Sequence, residues 1–462
     1  MSRWCGWVPV LFLLLLAPPP ARALVQFAAQ TGQPCSACHV GGFGPQLTPF
    51  GRAFKIGGYT QEGGEGWQAK MPLSAMLLGS FTNTQKSLPQ GAQPQHFATN
   101  NNFALDQVSL FLAGRVNDNI GGLIQFTYSG VDRAFALDNT DIRLTAPLDV
   151  GGTELRVGMS INNNPTVQDP YNTTFAWGFP YVASAIALTP NAAPVLAGGL
   201  GGNAIGTTAY AWYDHSLYAE FGIYNTVSPR ALKIMGTDYG PGGTAGPAFY
   251  GRAAYEWNWE GQSAHVGTMF LASRFNPTMG FRMASGGMGQ DGYTDFAVDA
   301  GYQYLASENH AFTAQLIYTY EQQSLTGSMA AAGLQMPASY NLNNTRLNLT
   351  YYYQNTYGLT LGWQNTFGPV NPLLKTSATG PDAVTDGTGN RTGRPNSNAF
   401  IVEADWVPFG KANSWGSPWA NLKLGIQYTA YTQFNGGSSN YDGARHNANN
   451  NNTLYLFAWL AF

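Results

Sequence analysis

From Met71 to the end of the chain, apolar and polar side chains alternate with a period of two. The clearest run is 421–434, where Leu422, Leu424, Ile426, Tyr428, Ala430 and Phe434 interleave with Asn421, Lys423, Gln427, Thr429 and Gln433. In 295–304, Phe296, Val298, Ala300, Tyr302 and Tyr304 interleave with Asp295, Asp299 and Gln303. The rhythm recurs at 312–321, 346–353, 359–367 and 400–406. Alternation over about ten residues is the length of a tilted transmembrane β-strand. The pattern predicts sixteen strands, near 71–82, 102–115, 119–130, 136–147, 152–162, 206–215, 216–225, 246–258, 261–273, 293–306, 309–325, 340–354, 356–369, 396–407, 418–434 and 451–462.

A soluble β-sandwich also alternates, and two features separate it from a barrel. The polar set repeatedly carries charge, at Arg115, Asp141, Arg143, Arg156, Asp299, Arg346, Glu403 and Asp405. A dry core disfavours each such charge, whereas a wet lumen tolerates them. Breaks after even-numbered strands are short, as at Asn117–Asn119, Asp214-His215 and Asn355-Thr356, with 408–417 the longest. Breaks after odd-numbered strands are long, at 83–101, 163–205, 226–245, 274–292, 326–339, 370–395 and 435–450, with only 131–135 brief. Short turns on one side and long loops on the other are the outer-membrane pattern. The expected fold is all-β: an antiparallel outer-membrane β-barrel of about 16 strands, with an aqueous lumen wide enough for a small plug.

Composition supports this. Charged residues make up 10% and aromatics 14%, against roughly 25% charged in ordinary globular chains. After the N-terminal segment no apolar run approaches the ~20 residues of a transmembrane helix. A net charge of −3 offers no basic surface for nucleic acid. The aromatic ending, Leu454 to Phe462, reads as interfacial girdle residues.

The first 70 residues follow another pattern. Arg3, the apolar run Val8–Ala17 and Ala21-Arg22-Ala23 predict a signal peptide over 1–23. Residues 24–70 then form a short segment ahead of the barrel at 71–462. Thr48 as cap, Pro49 at the first position and Gly57-Gly58 as stop predict one helix there. Some 45 residues are too few for an independent core. Cys35-Ser36-Ala37-Cys38-His39 reads C-x-x-C-H, the attachment signature of a c-type haem. Two thiols one helical turn apart can add to the haem vinyl groups, and the following His can ligate iron. A disulfide oxidoreductase pair lacks its usual βαβ context, and a structural metal site lacks two further ligands nearby. For the sixth iron ligand, Met71 and Met76 follow the haem segment; either can be a packing residue, and Met71 is the leading candidate. His96, His215, His265, His310 and His446 read as solvated or interfacial residues. Arg52 and Lys55 on the predicted helix can pair with haem propionates, or form a solvated face. The long 163–205 connection, with Trp177-Gly178-Phe179-Pro180, can fold inward as a constriction or lie outside as a lid.

Cys35–His39, followed by Leu47-Thr48-Pro49-Phe50-Gly51-Arg52-Ala53-Phe54-Lys55 and Gly57-Gly58-Tyr59, resembles the fused monohaem cytochrome–porins. The resemblance is specific over 24–60 and architectural beyond. It implies Cys35 and Cys38 holding one covalent haem c and His39 ligating its iron. It further implies an iron(II) oxidoreductase role, with extracellular Fe(II) or another small donor outside and a periplasmic c-type cytochrome or other soluble carrier inside. Val40-Gly41-Gly42-Phe43-Gly44 departs from the iron-oxidising members in being glycine-rich. A porin-like channel or an outward electron conduit whose haem has no iron substrate is the alternative.

Overall fold

The computed structural model describes residues 25–174, 178–237, 243–276, 278–279, 282–283, 289–334, 339–377, 384–416 and 420–462. The expected signal peptide and Trp177 lie outside the described residues. Sixteen long strands follow in order: β1 (Leu73–Thr84), β2 (Asn102–Arg115), β3 (Ile120–Ser129), β4 (Ala134–Val150), β5 (Thr153–Asn162), β6 (Ala204–Tyr213), β7 (Leu217–Thr226) and β8 (Ala248–Trp259), then β9 (Gln262–Asn276), β10 (Asp291–Tyr304), β11 (His310–Leu325), β12 (Ser339–Tyr353), β13 (Tyr357–Phe367), β14 (Ser397–Trp406), β15 (Asn421–Gln433) and β16 (Thr453–Ala461). Each pairs antiparallel with the next. β16 returns to β1, from Met76 opposite Ala461 to Thr84 opposite Thr453, and closes the barrel. The predicted strands are all present, with ends shifted by at most three residues.

The alternation sets two unlike faces. In β14, Phe400, Val402, Ala404 and Trp406 face out, while Ile401, Glu403 and Asp405 face in. Phe249, Phe296, Val298, Leu359 and Ile426 are likewise exposed on the outside. An apolar belt that encircles the molecule is stable against hydrocarbon rather than water. Exposed Trp257, Trp259, Tyr353, Tyr357 and Trp406 ring the end of the barrel that carries the short turns, as interfacial aromatics do. The chain is a membrane-spanning barrel.

The lumen corrects one expectation. Most of its charges do not stand in water but are buried in pairs, while Arg346 lies over the Phe179 ring, 5.7 Å from its centre. Arg143 lies 3.0 Å from Asp141, and both side chains are inaccessible. Lys423 Nζ reaches Glu403 at 2.9 Å and Asp405 at 3.4 Å. Arg252 bridges Asp169, at 3.3 Å, and Asp299. Only Arg115 and Arg156, near the short turns, keep partly exposed partners, Glu62 and Asp118 for the first and Glu154 for the second. The physical reason is filling: chain occupies the space, and burying a charge costs less when it is paired.

Two segments fill it. The described part of 163–203 folds inward. Tyr181 OH donates to Gln315 (2.9 Å) and accepts from Asn348 (2.8 Å). The Val195 and Leu196 amides donate to Glu321 (2.6 Å) and Asp295 (3.0 Å). The second filler is the N-terminal segment, with helices α1 (Val25–Thr31), α2 (Cys35–Cys38) and α3 (Pro49–Ile56). Its contacts fall near the short-turn ends of the strands, where Ile56 packs against Tyr210, Trp212 and Tyr218.

Candidate cofactor site

The C-x-x-C-H motif is built by local hydrogen bonding. Ala37 N donates to Pro34 O (2.9 Å) and His39 N to Cys35 O (2.9 Å), which fixes a single helical turn. Beyond it the chain doubles back. His39 pairs with Leu47, Val40 N donates to Gln46 O (3.0 Å), and Thr48 N donates to Cys38 O (2.9 Å). Thr48 then caps α3, accepting from Gly51 N at 3.2 Å, with Pro49 at the first position as expected. Gly51 lets α3 lie flush on the motif, because a side chain there would run into the Cys38 carbonyl oxygen. The glycine-rich stretch also has a structural reason. Gly41 has a left-handed backbone (φ 70°), and a Cβ on it would enter the Tyr352 ring.

The expected propionate partners are both engaged with protein. All five N–H groups of Arg52 are used: on Glu256 Oε1 (2.5 Å) and Oε2 (3.1 Å), Ser263 (3.1 Å), Gln303 (3.0 Å) and Leu47 O (2.8 Å). This side chain fastens α3 to the barrel wall and does not line the cavity described below. Lys55 does line it, and its ammonium donates to Val167 O (2.6 Å), Asp169 O (2.8 Å) and Asn172 Oδ1 (3.2 Å), tying α3 to the inward loop. Burial, with the Arg143 cation second, pushes Lys55 down to about 8. Gln46 to Thr313 (2.7 Å), Asn421 to Gly42 O (2.6 Å) and Tyr59 to Asp141 (2.7 Å) add further wall contacts.

Between motif, α1, α3 and wall lies a cavity with an empty volume of about 1250 Å³, counting the space at its mouth. Cys35, Cys38 and His39 all line it, and the rest of the lining is mainly apolar, including Phe27, Phe43, Phe54, Met76 and Trp459. None of the three motif side chains is fully buried, since each keeps surface on the cavity although protein surrounds it. Both thiols are free. Burial pushes Cys35 up and Cys38 up to about 12. It pushes His39 down to about 4, against a smaller opposing pull from the Gly44 backbone. The imidazole is therefore held neutral, the form that binds a metal. Its Nδ1 is buried with no hydrogen-bond partner, an unusual state for a buried polar atom. Two thiols, a neutral imidazole and an apolar chamber that all three line fit a covalently attached haem.

Met71 precedes β1 and is not among the lining residues, whereas Met76, inward-facing on β1, is. No histidine besides His39 lines the chamber. His265 is buried against Tyr171 (4.2 Å between rings) and lies 3.2 Å from Asp299. His96 and His446 sit among the long loops, and His215 and His310 at short turns. Among the lining residues that the sequence did not assign to the site are Phe43, Phe111, Asn421 and Trp459. Trp459 corrects the girdle reading of the last strand, since Tyr455, Phe457 and Trp459 all point inward. The parity of Leu454, Leu456 and Leu460 carries that signal.

No protein-family model matches the chain, and no curated protein matches it. Among solved structures it is similar to the outer-membrane-expressed OmpT of Vibrio cholerae, at 8% identity over 84% of this chain and 96% of that one, with a TM-score of 0.40. It is also similar to Salmonella typhi OmpF in complex with daunomycin (11% identity, 84% and 97% covered, TM-score 0.43). An anion-selective porin from Comamonas acidovorans has 11% identity, 84% and 98% coverage and a TM-score of 0.43.

Proposed function

We propose that this chain is an outer-membrane electron-transfer protein of the fused monohaem cytochrome–porin type, with one c-type haem on Cys35 and Cys38 and His39 as an axial ligand. The supporting observation is the convergence of these three side chains on one apolar cavity inside the barrel. A bound haem supplies a one-electron acceptor and donor whose potential follows ligand, burial and hydrogen bonding. The chain's residues do the rest. α2 presents the thiols, the Gly51 contact fixes α3 beside them, and Arg52 and Lys55 hold the plug so that the chamber keeps its shape. The short-turn end is the periplasmic side, which leaves the motif near a periplasmic carrier. The hydrocarbon layer is ~30 Å thick, so a donor from outside has to come in through the barrel. Fe(II) is small enough to do so. In the proposed reaction Fe(II) loses one electron and becomes Fe(III), and the periplasmic carrier takes up that electron.

The experiment is reduction of the purified, haem-loaded protein by stoichiometric Fe(II), followed by absorbance. The reading predicts appearance of the reduced spectrum. A haem that stays oxidised with Fe(II) while other donors reduce it rejects the iron-oxidising role.

A second reading, a porin-like channel, is favoured by the barrel itself, because sixteen strands is the size of diffusion porins. Free permeation of sugars into liposomes carrying the full chain supports it, and permeation at background level opposes it.

A further inference from the structure

We propose that Met76, which lines the same chamber as His39, would be the sixth ligand of a haem iron held there. This rests on the haem reading above. Once that reading has used Cys35, Cys38 and His39, three lining side chains remain that commonly ligate iron: Lys55, Tyr59 and Met76. Lys55 has its three N–H groups committed to the inward loop. Tyr59 donates its hydroxyl to Asp141 at 2.7 Å. Met76 is a thioether, buried in an otherwise apolar cluster with Phe43, Phe111 and Trp459, and needs no polar partner to be broken.

Its place on the wall agrees. Met76 of β1 pairs with Ala461 of β16, and Ala461 pairs with Asn421 of β15. The three form one row at the short-turn end, across two strand spacings of about 4.8 Å each. Asn421 lines the same chamber as Cys35 and donates to Gly42 O at 2.6 Å. It thus joins the motif's own loop to one end of this row, and the thioether stands at the other end, lining that chamber too. Met71, five residues earlier, precedes the strand and is outside the lining. Methionine with histidine raises a haem's potential over other ligand sets, which suits an acceptor for a weak reductant.

The test compares the full-length, haem-loaded protein with Met76→Leu, Met76→His and Met71→Leu. Leucine keeps the volume of the site, and histidine restores a ligand, so loss of folding in one variant leaves the other informative. The readouts are the far-red sulfur-to-iron charge-transfer band of the oxidised form, carbon monoxide binding to the reduced form, and midpoint potential. Expected are a band in the parent and in Met71→Leu and its loss in both Met76 variants. Carbon monoxide binding should be gained and the potential lowered in Met76→Leu, with low-spin character kept in Met76→His. Covalent haem without the band in the parent, or a band that survives Met76→Leu, overturns the ligand assignment and leaves the haem reading standing. Absence of covalent haem on a denaturing gel overturns both.

Discussion

Arg52 Nη2 and Glu256 Oε1 lie 2.5 Å apart, with each side chain only 4% exposed. The pair joins α3 of the plug to β8 of the wall. Arg52→Ala strands a buried carboxylate, which costs about 3–5 kcal/mol. The expected result is faster proteolysis within 25–70 while the barrel keeps its heat-modifiable mobility on gels. Replacing both partners with methionine should recover much of the loss, because a pair of apolar groups leaves no orphaned charge.

Gly51→Val drives a side chain against the Cys38 carbonyl. Overpacking of this kind costs about 1–3 kcal/mol and moves α3 away from the motif. The expected outcome is a lower haem-to-protein ratio with unchanged barrel yield, measured by haem absorbance against total protein. A ratio equal to the parent's would show that α3 need not touch the motif turn.

Deleting residues 25–70 removes the contacts to Glu256, Thr313 and Asp141 and leaves polar side chains free to hydrate. Conductance in planar bilayers and sugar uptake by liposomes should rise well above those of the full chain. An unchanged conductance would mean that the inward 163–203 loop seals the lumen alone.

Lys55 gives a pH test. Its ammonium is pushed down to about 8 in the plug, from 10.5 when free. Between these values the released lysine holds a proton that the docked one has lost. Docking therefore strengthens as pH rises from about 8 to about 10.5, and this contribution is absent below about 8. Protection of the plug from protease should increase across that window in the parent. In Lys55→Met it should stay flat there.

The strands were legible because each crosses between lipid and lumen, and period two records that contrast residue by residue. The motif was legible because its residues are contiguous and folded by their own backbone. Arg52 and Glu256 are 204 residues apart, and alternation tells which way a side chain faces but not how far along the barrel it sits. For that reason the sequence leaves Arg52 between a propionate partner and a solvated face, while its partner in the structure is Glu256 of the wall. The charged lumen misled for a related reason: a filled lumen with paired charges such as Lys423 and Glu403 has the same composition as a hydrated one. Met71 and Met76 differ only in where β1 begins, a boundary that shifted by two residues from the expected one.

The seam pairs β1 with β16, so the barrel cannot close before β16 has been made and has reached the membrane. Cys35 and Cys38 then face a chamber walled by plug and barrel, which restricts the approach of a second protein. Any covalent modification of these thiols that requires a second protein is favoured before closure, while the segment is still an open peptide. Maturation of the site is therefore coupled in time to insertion of the barrel, and a chain that closes early is harder to modify.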